Sequence, residues 1–431
     1  MFDQACPARL STFFVGTCFF MLVSEVALTQ TKVIVVEHAD SLIGTQVDGE
    51  EARELIGHVQ FTHDQVRVWC DRATQFIRSE KVLLRGNVIV KDDSVTLRAP
   101  SGVYYQAERR AEVSEGVVLD DGGMLLAARR GQYFLETKRA FFWDNVVVRD
   151  GASTVTADSL VHDRLEKHSV AMGHVEVRDR DDVTITGSHL DHWSAAQSSR
   201  MTGQPLLFKS DTTASGEIDT LVVRSRIMES HRSDPRRLIA IDSVEIIRSD
   251  LAARASLALF FPEQDSILLR FSPVVWYDET QVTGDSINVR MREGVLDQVF
   301  VLGHAFGVSR TDSLGQVRYD QLMGETMRLK FLNRQLRRLD VERRATSLYH
   351  VYDDTAANGA NRTSGDNIVM HFEQGKVTSI SIIGGVEGKY IPENLLKGRE
   401  SNYHLPGFLW RNDRPRLGDR EVKVIKAATA R

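Results

Sequence analysis

Leu83-Leu84-Arg85-Gly86-Asn87-Val88-Ile89-Val90-Lys91-Asp92-Asp93-Ser94-Val95-Thr96-Leu97-Arg98-Ala99 decides the fold. After the Asp-Asp-Ser turn, Val95, Leu97 and Ala99 alternate with Thr96 and Arg98. That is the period of two expected of a strand with one buried face, and a helix of period 3.6 does not read this way. Before the turn, Val88 and Val90 follow a Gly-Asn pair, so the stretch is strand, turn, strand. Asp and Gly at the reversal tolerate the dihedrals that a tight turn needs.

The unit recurs. Gly57-His58-Val59, Gly86-Asn87-Val88, Gly116-Val117-Val118-Leu119, Asp144-Asn145-Val146-Val147-Val148 and Gly173-His174-Val175-Glu176-Val177 follow one another at steps of 29, 30, 28 and 29 residues. Each is followed by a second run: Val68 to Ala73, Val95 to Ala99, Leu125 to Ala128, Val155 to Asp158 and Val183 to Gly187. A fixed period of this size marks a repeat architecture, in which each unit buries its apolar face against the next. Only nine prolines interrupt 431 residues, so long hydrogen-bonded ladders are permitted.

The pattern loosens around 203–220 and resumes at Asp242-Ser243-Val244, Ser272-Pro273-Val274 and Gly303-His304-Ala305, with a recurring phrase at Gly284-Asp285, Gly324-Glu325 and Gly365-Asp366. The expected organisation is therefore residues 1–29 as an export signal, 30–215 as a first repeat block, 216–391 as a second, divergent block, and 392–431 as a tail or cap. Asp353 to Asn361, rich in Asp, Asn, Gly and Ala, reads as a mobile loop.

Composition narrows the function. With 42% hydrophobic and 26% charged residues the chain has material for a real core, and a net charge of −5 gives no basic footprint for nucleic acid. Arg9 precedes an apolar run from Leu10 to Val23, about 14 residues, too short for a bilayer span and right for a signal peptide. Cleavage is expected near Ala27 to Gln30, with an uncleaved inner-membrane anchor as the alternative. Cys6 and Cys18 fall inside that segment, and Val15-Gly16-Thr17-Cys18 is a faint lipoprotein signal because the apolar run continues past Cys18. Cys70 is left without an internal disulfide partner and reads as a small buried hydrophobe.

The recurring Gly-x-Val-x-Val units, clearest over residues 37–200 and best formed from Leu83 to Tyr105, resemble the OstA-like (LptA-type) family of periplasmic lipopolysaccharide-transport proteins. The resemblance implies an all-β, elongated and twisted β-jellyroll, a taco-like roll of two apposed sheets, with acyl chains between the sheets and the sugar headgroup outside. It implies a non-enzymatic periplasmic bridge. Lipopolysaccharide or a related glycolipid is the expected ligand, and the expected partners are other envelope components joined by edge-strand pairing, with head-to-tail self-association. A relative of the family ends in an outer-membrane barrel; no run of amphipathic barrel strands follows Pro392, so the exit role is not expected here.

The residues expected to face the slot are Val88, Val90, Val95, Leu97, Val117, Leu119, Leu125, Val146, Val148, Val155, Val175, Val177, Val183 and Ile185. Every β-sandwich carries such a stripe, so contact with lipid or only with neighbours across the sheets stays open for each. Arg109-Arg110, Arg129-Arg130, Arg236-Arg237 and the cluster Arg334, Arg337, Arg338, Arg343 and Arg344 read either as phosphate grips or as solvated turns that balance nearby carboxylates. His189-x-Asp191-His192 puts ligand types together, but a strand sends 192 to the opposite face, so no metal and no cofactor are expected. Asn361-Arg362-Thr363 is a chance sequon. No nucleophile elbow, phosphate loop or dinucleotide fingerprint is present. Two other readings remain open: a structural or adhesive β-solenoid without lipid, and a polysaccharide-processing enzyme on a β-helix, which would need paired carboxylates on one face.

Overall fold

A computed structural model describes residues 34–425, apart from 152, 180–182, 213–217, 314–315, 354–355, 420 and 424. The expected export signal lies outside the described residues. Among the described residues the chain is almost entirely β: thirty antiparallel strands, with a four-residue helix at Glu393–Leu396, two short 3-10 turns and helical residues at 421–423.

Fourteen of the thirty strands are long enough to serve two sheets. Lys81–Asp92 pairs with Val95–Tyr105 from Val82↔Tyr104 to Arg85↔Ser101, slips, and resumes at Val88↔Ala99. The slip is a corner, formed where Gly86 and Asn87 have φ of 75° and 47°. Gly86 is obligatory there, because a Cβ would overlap the Asp71 carboxylate of the preceding strand. Asn87 Nδ2 donates to the same carboxylate at 2.9 Å.

The corner repeats along the molecule. His58 meets Asp40 at 3.0 Å, His174 meets Asp158 at 2.8 Å and His304 meets Asp285 at 3.0 Å, each histidine following a glycine that has no room for a side chain. Where glycine is missing the polarity is rearranged: Asp144 accepts from Arg130 Nε at 2.7 Å, Asp242 from Arg226 at 3.0 Å, and Arg343 donates to Glu325 at 3.1 Å. The phrase Gly-Asp/Glu of the second block is thus the acidic half of this corner.

Stacked corners form a spine from which two sheets diverge. One, the front sheet, contains 66–70, 88–92, 95–99 and 146–150; the other, the back sheet, contains 72–76, 81–85, 101–105 and 159–163. Hairpin turns end each sheet on the side away from the spine, so two rows of turns face each other across a mouth. Leu206–Thr212 pairs with Ile218–Arg224, which pairs in turn with Arg237–Ile247, so the front sheet runs past residue 215 without interruption. Each sheet stacks roughly twenty strands, on the order of 100 Å at about 4.8 Å per strand.

Inward side chains form one main core in which Val88, Val90, Val95, Leu97, Val117, Leu119, Val146, Val148 and Val175 are buried. Leu125 is a correction: it is 41% exposed, while Leu126 is fully buried. The pairing explains it, since inward Leu119 lies opposite Leu126 and the 29-residue step places Leu125 in register with outward Thr96. A one-residue slip turns a side chain to the other face. The loop expected at Asp353 to Asn361 is also shorter: Ala357–Glu373 is a strand, with Asn361 opposite Tyr349 and Tyr390.

The tail runs as a strap along the outer face of the front sheet. Leu396 and Leu405 pack with Phe306, Leu348 and Ala360. Gln321 Oε1 accepts from the Leu405 amide, and Gln281 clamps the strap by donating to the Leu409 carbonyl and accepting from the Arg411 amide, at 2.7 and 2.8 Å. Farther back, Arg254 pairs with Asp413, Arg224 donates to the Arg416 carbonyl, and Ile425 covers Leu206, Phe208 and Val222. The strap therefore crosses the strands in reverse order, back to Leu206–Thr212 and Ile218–Arg224.

Candidate functional site

Between the sheets, midway along the stack, lies a cavity of about 1160 Å³ lined by residues from Ser94 to Gly294. It thus draws on residues from both sides of residue 215. Five of the inward candidates, Val148, Val155, Val177, Val183 and Ile185, line it. Eight others, Val88, Val90, Val95, Leu97, Val117, Leu119, Val146 and Val175, lie in packed core outside it. Toward the first strands the space between the sheets is filled by Phe61, Tyr104, Tyr133 and Phe142. Tyr104 shares a hydrogen bond with His63, and burial pushes its phenol up to about 12.

The wall formed by the back sheet has two rows. The deeper row, Leu160, Ala171, Leu190, Met201 and Met228, is apolar and runs through paired positions on five adjacent strands. The row nearer the mouth is His162, Ser169, His192, Ser199 and Ser230, also in direct register. His162 Nδ1 meets Ser169 Oγ and His192 Nδ1 meets Ser199 Oγ, both at 2.9 Å. Burial lowers the pKa of both histidines. This polar row escaped sequence reasoning, although His and Ser seven apart, repeated after 30 residues at 162/169 and 192/199, was its trace.

The mouth is bridged by a line of polar contacts between the two rows of turns. Arg109 pairs with Asp64; Lys138 Nζ donates to Asp92 at 2.6 Å; Arg164 donates to Asp93 at 2.8 Å. Over the cavity, Arg232 donates to Ser153 at 2.6 Å and to Asp150 at 3.3 Å, and Arg236 to Asp179 at 2.8 Å. Farther along, Arg248 donates to the Gly294 carbonyl and the Tyr277 hydroxyl to the Arg334 carbonyl. The bridging acids Asp64, Asp93, Asp150 and Asp179 fall on the repeat period, so this is a feature of the fold and not of one turn.

Several members of the basic pairs and of the later arginine cluster meet carboxylates. Besides the mouth contacts, Arg110 sits between Glu108 and Glu112, Arg130 holds Asp144 and Arg338 holds Asp340. His189 and His168 meet Asp191 from the outer face at 3.1 and 2.9 Å, while His192 points into the cavity. No group of three or more potential metal ligands is assembled among the described residues. Cys70 is buried, and desolvation pushes its thiol up to about 11, well away from a reactive thiolate.

Residues 30–133 match the family described as OstA-like protein. Among solved structures, a similar one is LptH, the LptA homologous periplasmic component of the conserved lipopolysaccharide transport device from Pseudomonas aeruginosa. It is 16% identical, the match covers 33% of this chain and 95% of that one, and the TM-score is 0.26. No curated protein matches the chain. No helix among the described residues is long and apolar enough to cross a membrane, which says nothing of strands.

Proposed function

We propose that this protein is a periplasmic, non-enzymatic carrier in lipopolysaccharide transport to the outer membrane, and that it holds acyl chains between its two sheets. The observation that carries the reading is the cavity of about 1160 Å³ with its apolar wall of Val155, Leu160, Val177, Ile185, Leu190 and Met201. Each CH₂ moved from water into such a wall contributes about 0.8 kcal/mol, so part of one acyl chain supplies several kcal/mol with no specific polar contact. The OstA-like segment at residues 30–133 supports the same reading.

The ends of the stack fit a bridge. Among the described residues, Val35–His38 and Ser41–Val47 at one end, and Lys376–Ile383 and Glu387–Ile391 at the other, each pair on one side only. They expose Leu42, Ile43, Ile380, Ile383 and Tyr390. Unpaired edges of this kind accept a strand from another molecule, so copies of this chain or other envelope components would join head to tail.

Photo-crosslinking tests the carrier reading. A photoreactive residue at Val155, Val177 or Ile185, in cells making lipopolysaccharide, is expected to give lipid adducts, while outward Thr96 and Thr186 give none. Thr184 makes a poor outward control because the structure buries it. Absence of adducts at the three cavity positions, with the protein folded and exported, would leave a structural scaffold of the envelope as the better account.

A further inference from the structure

The mouth-proximal row of the back sheet changes character where the cavity begins and again where it ends. Before it, the row carries Tyr104, Ala111, Tyr133 and Ala140; after it, Leu238, Phe260 and Ile267. At the cavity the row becomes an unbroken run of His and Ser, His162 to Ser230 on five adjacent strands, whereas on the strands just before it the polar atoms are the Tyr104 and Tyr133 hydroxyls, bonded to His63 and Asp92. An inward hydroxyl or imidazole costs free energy unless it is hydrogen-bonded; the pairs His162–Ser169 and His192–Ser199 use part of their capacity on each other, and all five residues of the row line the cavity, where a ligand can use the rest.

We propose that the row from His162 to Ser230 is a hydrogen-bonding site for the hydroxyl and amide groups that join acyl chains to the head of a lipid, and that it stations such a lipid at the middle of the stack. The inference rests on the carrier reading and adds to it a place and a selectivity. Two residues separate the polar row from Leu160, Leu190 and Met201, so chains pointing toward the spine meet hydrocarbon while their junction meets Ser and His. The two histidines spend Nδ1 on serine, and Nε2 is the atom that each can offer to a ligand. Serine hydroxyls and neutral imidazoles both donate and accept. The matching ligand groups do both as well, which hydroxyls and secondary amides do and simple esters do not.

The full chain is tested by displacement of an anthroyloxy fatty acid with two lipids of equal chain length, N-hexadecanoyl ethanolamine and methyl hexadecanoate. The expected result is a preference for the ethanolamide of about tenfold, the scale of one or two net hydrogen bonds. Ser169→Ala with Ser199→Ala, and separately His162→Leu with His192→Leu, should abolish the preference and keep the affinity for the ester. Should the histidine pair fail to fold by circular dichroism, the serine pair decides. Equal binding of the two lipids by the unaltered chain, or a preference that survives the serine pair, overturns the station and leaves the carrier standing. No displacement by either lipid overturns both.

Discussion

Arg318, whose side chain has no surface exposed to solvent, donates from its two terminal nitrogens to the two carboxylate oxygens of Glu393, at 2.9 and 2.6 Å. The pair fastens the start of the outer strap to the strand Gln316–Leu332, near the last strands of the front sheet. Glu393→Gln would leave a buried guanidinium without its main counter-charge, a loss of about 3 kcal/mol that Glu400, 3.6 Å away, reduces only in part. Urea denaturation should show the lower midpoint, and limited proteolysis should cut first within 393–425. Arg318 holds the Glu393 carboxyl below the usual glutamate range. That contribution is present above about 4.5 and is lost as pH falls through the lowered value.

At the spine, Gly86→Ala meets two obstacles, the Asp71 carboxylate and a φ of 75°. The backbone cost alone is about 1–2 kcal/mol. Combining it with Asp71→Ala removes the overlap and leaves the backbone cost, so thermal unfolding of the double variant should fall between the single variant and the unaltered chain. A double variant as unstable as Gly86→Ala would show that the carboxylate has no part in excluding a side chain.

Leu125 and Leu126 are neighbours on opposite faces. Leu125→Lys should change stability by no more than about 0.5 kcal/mol, as surface replacements do. Leu126→Lys buries a charge without a partner and should abolish folding, read as loss of soluble protein or of β-type circular dichroism.

Burial lowers the pKa of His162 and His192 from the ordinary imidazole value of about 6.5. The unfolded chain therefore takes up protons that the folded chain resists. Stability is complete above about 6.5 and declines as pH drops toward the lowered folded values, after which these groups add no further slope. Melting temperatures between pH 7.5 and 5.5 should show the decline, and His162→Gln with His192→Gln should flatten it.

Asp92, buried at the mouth, accepts from the Tyr133 hydroxyl at 2.8 Å and from Lys138 at 2.6 Å. Burial and that carboxylate push the Tyr133 phenol up. Asp92→Asn keeps the shape and removes the charge, so a loss of about 1–3 kcal/mol is expected, with faster amide exchange in the turns 93–94 and 135–138. Unchanged exchange there would mean that the charge of Asp92 has no part in holding the two rows of turns together.

The strands and the repeat were legible because the corner imposes itself on local sequence. A glycine with no room for a side chain has to recur, and Gly57, Gly86, Gly173 and Gly303 kept the period visible. The acid that meets it was legible too, as Gly284-Asp285 and Gly365-Asp366, but as a separate phrase, since its partner lies on the next strand. Features made by alignment across strands left weaker traces. One strand reports which of its residues face inward and not which inward residues of five strands fall into line, so the row from His162 to Ser230 was hidden. The strap was hidden for a related reason, as Gln281 and Arg411 meet across 130 residues. Leu125 was misplaced because Leu125 and Leu126 are both apolar, and alternation alone does not choose between them.

The strap also has a mechanical meaning. In a stack of strands the hydrogen bonds point along the axis, so a pull from one end to the other loads them one rung at a time, and the weakest rung sets the strength. From Glu393 to Ile425 the strap lays covalent backbone along that same axis, anchored at Arg318, Gln321, Gln281, Arg254 and Arg224. Tension across the later half of the molecule is shared between ladders and peptide bonds, whereas the earlier strands, beyond the strap's reach among the described residues, rely on ladders and packing alone. The molecule is thus stiffened unevenly, and under load the end that carries Val35–His38 would yield first.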